Sequence, residues 1–256
     1  IGALLSIFFV FILFWAVFKL IGCALNNWGD KYTDRELTGV AQQIGSKLVL
    51  TDTLTYKKDS VALYDGAFRI QKEDGKVIKV VDYPLYFRNV AKEKLPKEES
   101  KIYTWSANLS QSINPGWVIL LTPLVVAFFT FLRSRKKEPS TPTKIAFGLL
   151  ISALSVLVMV AAVHIGNNGA EKVSVWWLVA NYGVITIGEL FLSPMGLSVV
   201  SKLSPKNITS LMMGGWFLAT SIGNKLSGVL ASMWDSYENK ANFFWINFSL
   251  LLFATL

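Results

Sequence analysis

The sequence has little of what soluble enzymes are commonly built with. Its 256 residues include one cysteine, Cys23, and one histidine, His164. A single thiol excludes an internal disulfide and leaves the compartment unreadable from redox chemistry. One His and one Cys exclude the usual His/Cys zinc clusters and argue against a Cys–His nucleophile. No HExxH, GxSxG or P-loop pattern occurs, so a membrane enzyme is the weakest functional class. Charge is scarce too. Asp, Glu, Lys and Arg make up 16% of the chain, against about 25% in an ordinary soluble domain.

What is abundant is apolar surface. Hydrophobic residues reach 52% and the mean hydropathy is +0.44. They gather in runs near 20 residues long, the length that crosses a bilayer. The first run opens at Ile1 without a methionine or a basic leader, so it does not read as a signal peptide. The last run, from Ala241, is still apolar at Leu256. Both ends are expected to be cuts in a larger membrane protein.

The runs predict helices over about 1–25, 103–132, 145–165, 173–200 and 208–234, with a sixth, shortened one from about 243. Pro115 and Pro123 are expected to kink or break the second. Residues 26–102 change character. They are polar, too long for a connector, and contain a stretch rich in β-branched and aromatic residues. "RIQKEDGKVIKVV" places an Asp-Gly turn between alternating apolar residues, a hairpin signal. A small β-rich extramembrane insert is predicted there.

Net charge is +8, and its placement by loop carries the information. The loop after the second helix holds Arg133, Arg135, Lys136, Lys137 and Lys144. The loop after the fourth holds Lys202 and Lys206. The intervening loops mix signs: Glu171 with Lys172, then Asp235 and Glu238 with Lys240. The basic loops should face the cytoplasm, which puts the insert outside. This predicts a multi-pass protein of the plasma or inner membrane.

In the fourth and fifth runs, "GELFLSPMGLSVVSKLSPKNITSLMMGGWFLATSIGNKLSG" resembles helices ten and eleven of the proton-dependent oligopeptide transporter (POT) family, within the major facilitator superfamily. "FWAVFKLIGCALN" is similar to helix seven of that family. "QSINPGWVILLTPL" and "KKEPSTPTKIAFGLL" are similar to helix eight and the start of helix nine. The resemblance covers nearly every hydrophobic run, in order, but not the insert. It implies an all-α membrane protein: the six-helix C-terminal bundle of a major facilitator fold with a β-rich extracytoplasmic insert. Residues 1–25 would be family helix seven, 26–102 the insert, and 103–256 helices eight to twelve, the last truncated. The resemblance implies proton-driven transport of di- and tripeptides by alternating access. Its partners are then peptide, protons, the lipid bilayer and an N-terminal six-helix half. No cofactor and no nucleic-acid partner is expected.

Glu189 is the foremost candidate site residue. It lies roughly 24 Å along its helix at 1.5 Å per residue, where a carboxylate costs about 2.5–3.5 kcal/mol to insert. Such acids normally serve function, although a buried structural partner would also hold one there. Ser193, at i+4, shares its face; its hydroxyl either bonds back along the helix beside Pro194 or faces the pocket. Asn114 either caps a helix starting at Pro115 or is an intramembrane amide in a helix that starts earlier. Trp15 and Trp216 are either interfacial or packed around a ligand. The resemblance assigns Glu189 to a peptide amino terminus, Asn114 and Ser193 to the peptide, and both tryptophans to the pocket. Lys19 departs from the pattern. The family usually reads "FWxxFEQ" where this chain reads "FWAVFKL". That glutamate is generally linked to proton coupling and gating; Lys19 either snorkels outward or marks a changed coupling step. Lys225 reads as structural or snorkelling, and His164 as the outer end of its helix. A non-transporting receptor or scaffold that uses the insert, and a transporter of another small solute, are the rival readings.

Overall fold

The computed structural model describes residues 2–66 and 68–255; the side chains of Ala3, Ile21, Met195 and the lone thiol, Cys23, lie outside the described set. Six long helices dominate: α1 (Gly2–Tyr32), α3 (Ser110–Ser134), α4 (Thr141–Ile165), α5 (Trp176–Leu203), α6 (Thr209–Ser232) and α7 (Lys240–Thr255). A short helix, α2 (Gly39–Lys47), lies between α1 and α3. Four of the long helices are both long and apolar enough to cross a membrane: α1, α3, α4 and α5. α6 carries Asn224 and Lys225 in an already polar sequence, and α7 has 16 residues, so neither meets that standard.

α4 packs along α5 and α7, α1 along α6, and α3 along α5. The core between them is aromatic and aliphatic, with Phe11, Phe14, Trp28, Leu149, Met159, Leu178, Ile185 and Phe244 almost fully buried. The opposite faces are apolar but exposed: Ile119, Leu120 and Leu124 on α3, and Leu211, Phe217 and Leu218 on α6. Apolar surface of this extent suits lipid contact.

Local sequence fixes several helix ends. Ser140 caps α4, its hydroxyl accepting from the Thr143 amide at 3.4 Å, with Pro142 in the first turn. α1 runs on to Tyr32, past the expected end near Leu25, because Trp28 and Tyr32 are buried with their ring centres 4.6 Å apart. α3 starts at Ser110, after a 3-10 turn, rather than near 103, because Lys101–Trp105 is a strand. It then runs unbroken through Pro115 and Pro123. Each proline frees only one carbonyl, which a helix in a bundle tolerates.

Between α1 and α3 the strands form ladders of two, not one sheet. β2 (Thr51–Thr55) pairs antiparallel with β7 (Lys101–Trp105), and β3 (Asp59–Ala62) with β6 (Lys79–Asp82). β4 (Lys72–Glu73) and β5 (Lys76–Val77) flank the Asp74-Gly75 turn, where both residues have positive φ, 50° and 77°. That is the type I′ geometry that Asp-Gly favours.

This region is fastened to the bundle. β1 (Thr33–Asp34) forms a parallel ladder with β8 (Val173–Ser174), in the loop between α4 and α5. The buried Asn89 side chain donates to the carbonyls of Lys31 at 3.0 Å and Gly169 at 3.1 Å. Arg69 donates to the Asp235 carbonyl at 3.1 Å. The α4–α5 and α6–α7 loops therefore lie at the same end as the 33–109 region. The basic segments 133–137 and 202–206 lie at the other.

Candidate functional site

α3 and α5 are held in register by one aromatic residue. The Trp117 indole donates to the Val179 carbonyl at 3.0 Å and lies against Gly183, where a Cβ would stand 3.2 Å from the ring. Asn114 is one turn before Trp117, and Thr186 is one turn after Gly183. The clamp therefore brings Asn114 to Thr186 and Glu189.

Asn114 Nδ2 donates to Thr186 Oγ1 at 3.1 Å and to Glu189 Oε2 at 3.2 Å. The orientation of this amide follows from its neighbours. The Thr186 hydroxyl donates to the Tyr182 carbonyl at 2.6 Å, so toward Asn114 it accepts. A carboxylate also accepts. Only the amide nitrogen satisfies both. Asn114 Oδ1 is then left as an acceptor with no hydrogen bond among the described residues. Asn114 is no cap: its helix begins four residues earlier.

A cavity of about 260 Å³ opens beside this group, lined by Phe18, Lys19, Gln111, Asn114, Tyr182 and Ile185 with Gly22. Its walls come from α1, α3 and α5. Lys19 is exposed and has no ion-pair partner among the described residues. Its ammonium sits 5.5 Å from the centre of the Trp15 ring and 5.9 Å from that of Phe18. It is the charged group that acts on the Glu189 carboxylate.

The remaining candidates are placed as follows. Ser193 is half-buried one turn beyond Glu189, and its hydroxyl makes no hydrogen bond among the described residues. Trp15 is half-buried, beside Lys19, with its Cβ close against α6 at Gly223. Trp216 is 5% exposed and does not line this cavity. It packs edge-on to Phe11 at 4.3 Å and fills the space left by Gly196 on α5. The structure thus gathers Lys19, Asn114 and Glu189, places Ser193 and Trp15 at their margin, and sets Trp216 apart in the core.

Two of the larger cavities are chemically different. One of about 410 Å³, at the end of the bundle that carries the basic loops, is mostly aliphatic and holds no carboxylate. One of about 560 Å³, at the end that carries the 33–109 region, includes Asp65, Arg69, Arg88 and Asn89 in its lining. Its charges are largely engaged: Asp65 pairs with Arg69 at 2.6 Å, and Arg88 donates to the Tyr64 carbonyl.

The sequence pattern of the POT family (PTR2) matches residues 98–246. The chain belongs to the POT family. Dipeptide and tripeptide permease A of Proteus mirabilis is 36% identical over 132 residues, covering 52% of this chain and 26% of the permease. Peptide transporter YePEPT of Yersinia enterocolitica is 40% identical over 121 residues, covering 47% of this chain and 24% of that protein. The matched stretch is about a quarter of each relative's length. Among solved structures, a POT family transporter in complex with 5-aminolevulinic acid superposes with a TM-score of 0.64 at 23% identity, covering 99% of this chain and 39% of that one. Peptide transporter POT in complex with sulfate gives 0.63 at 24% identity, over 99% and 38%. At these identities the structural likeness establishes the shared fold.

Proposed function

We propose that the protein carrying this chain is a secondary transporter that moves di- and tripeptides across a membrane by alternating access, coupled to protons. The observation that carries the reading is the Glu189 carboxylate, held by Asn114 beside a cavity, inside helices apolar enough to cross a bilayer. A desolvated carboxylate is the natural partner of a peptide's terminal ammonium. Asn114 Oδ1 takes a peptide N–H, and Ser193 a polar group one turn further on. Trp15 lines the site beside Lys19, and Trp216 stiffens the wall from behind.

In this reading the chain is the six-helix C-terminal bundle of a major facilitator fold. Residues 1–25, 26–102 and 103–256 supply family helix seven, a β-rich extracytoplasmic insert and helices eight to twelve. An N-terminal six-helix half closes the site at the bilayer midplane. The basic loops face the cytoplasm of a plasma or inner membrane and the insert faces out.

Uptake of labelled dipeptide by the full-length protein tests the function. Glu189→Ala should abolish uptake, and a variant that transports every peptide at the wild-type rate overturns the role of the carboxylate. Internal acidification during uptake tests the proton step. A second reading, transport of another small solute, is favoured by the Lys19 ammonium in the cavity, which has no ion-pair partner among the described residues. One structural neighbour holds 5-aminolevulinic acid, an amino acid and not a peptide. Competition by dipeptides against such solutes separates the two.

A further inference from the structure

The cavity beside Asn114 carries a feature that a simple ammonium site does not need. Lys19 reaches it from α1, while Glu189 adjoins it from α5 through Asn114. No ion pair joins the two charges among the described residues, although they act on each other. The same lining carries neutral polar groups, the Gln111 and Asn114 carboxamides, and the Tyr182 side chain. Its apolar lining comes from Phe18 and Ile185. A cation in the lining of a cavity and an anion adjoining it, with no ion pair between them among the described residues, are complementary to a ligand that carries the opposite pair of charges.

The placement of the charges limits which pair. Lys19 lines the cavity and Glu189 adjoins it through Asn114, so both charges act at one cavity of about 260 Å³ on this half of the site. One residue of a peptide lies between them. The ammonium that meets Glu189 and the anion that meets Lys19 must therefore belong to the same residue. The terminal carboxylate of a di- or tripeptide lies at least one peptide bond further on. The anion within reach is a side-chain carboxylate.

We propose that this site selects peptides whose amino-terminal residue is Asp or Glu, with Glu189 taking the α-ammonium and Lys19 the side-chain carboxylate. Lys19 is thus a specificity-determining residue. The anchoring is asymmetric. The Glu189 carboxylate is half-buried and positioned by Asn114, whereas the Lys19 ammonium is exposed on a flexible stem over two aromatic faces. Lys19 therefore ranks substrates and Glu189 admits them.

This inference rests on the peptide-transport reading, and the test separates the two. Uptake of Asp-Ala, Ala-Ala and Lys-Ala is compared in proteoliposomes containing the full-length protein. The expected result is a preference for Asp-Ala over Lys-Ala on the order of tenfold, the worth of one charged hydrogen bond. Lys19→Gln should bring the ratio to near one, Lys19→Glu should reverse it, and Lys19→Arg should keep it. Retention in Lys19→Arg guards against loss through misfolding. If all three dipeptides are taken up alike, or the preference survives Lys19→Gln, the inference is overturned and the peptide reading stands. If no dipeptide is taken up by the wild-type protein, both fall.

Discussion

Asn114 Nδ2 lies 3.2 Å from Glu189 Oε2, a bond between residues 75 positions apart on two different helices. It sets the direction of the only carboxylate on the candidate site, because the second amide proton is fixed on Thr186. Losing it should cost what a hydrogen bond to a charged group is worth, about 1.5–3 kcal/mol. Asn114→Ala is therefore expected to weaken dipeptide affinity by roughly 10- to 100-fold. Asn114→Asp should be worse, since it sets a second acid against Glu189. Asn114→Ala and Glu189→Gln should be non-additive, as each removes the charged hydrogen bond between them. Competition binding on the two single variants and the double variant measures this.

Much of this site is legible in the sequence, and for a physical reason. An acid inside an apolar run is costly, so Glu189 stands out, and helical spacing puts Ser193 on its face. What the sequence does not carry is which helix lies opposite. Thr186 reads as an ordinary threonine and Trp117 as one more membrane aromatic. Their roles come from the close approach of α3 at Gly183. Trp216 shows the converse. An intramembrane tryptophan invites a pocket role, but the missing side chain at Gly196 lets it pack into the core. The 33–109 region reads correctly at its Asp-Gly turn, which is local, while its division into separate ladders depends on pairings such as Thr51 with Trp105.

The α4–α5 crossing behind Glu189 has no room to spare. A Cβ at Gly188 would meet the Ser152 hydroxyl and would lie 2.7 Å from the Gly148 carbonyl. At Gly148 it would lie 2.7 Å from Leu192 Cγ. Gly188→Ala should cost about 1–3 kcal/mol through overpacking, and it should also shift the adjacent Glu189. Gly228→Ala on α6, with nothing within 4 Å of the added carbon, should be neutral or slightly stabilising, as Ala is the better helix former. Thermal unfolding in detergent ranks the two; equal effects would sink the close-packing account.

Lys172 gives the end that carries the 33–109 region a pH dependence. Burial pulls its pKa down from 10.5 to about 7, helped by the Arg35 charge and opposed by Asp34 and Asp30. The ammonium lies 4.0 Å from the centre of the Tyr86 ring and donates to the Lys31 and Thr33 carbonyls. Between pH 7 and 10.5 the unfolded chain binds more protons at this site than the folded one, so stability should rise with pH across that window. Below pH 7 both states are charged and the slope vanishes. Lys172→Met should flatten the rise. Unfolding midpoints from pH 6 to 10.5 test it, and an unchanged slope in the variant would count against the assignment.

Asn89 holds the 33–109 region to the bundle by three bonds. Its side chain donates to Lys31 and Gly169, and its carbonyl accepts from the Lys172 amide at 3.2 Å. The residue is 5% exposed, so water cannot replace what a substitution removes. Asn89→Ala should remove a donor from the Gly169 and Lys31 carbonyls, the second of which keeps the Lys172 ammonium, at about 1–3 kcal/mol. Asn89→Asp should be worse, as it turns an acceptor toward both. Loosening should stay local, because the bonds of Asn89 flank the β1–β8 ladder and none reaches α4 or α5. Hydrogen exchange should therefore accelerate in residues 31–34 and 169–174 and stay unchanged in the middle of α4 and α5. Uniform acceleration across the bundle would mean that the region supports the whole helical core rather than sitting docked on its end.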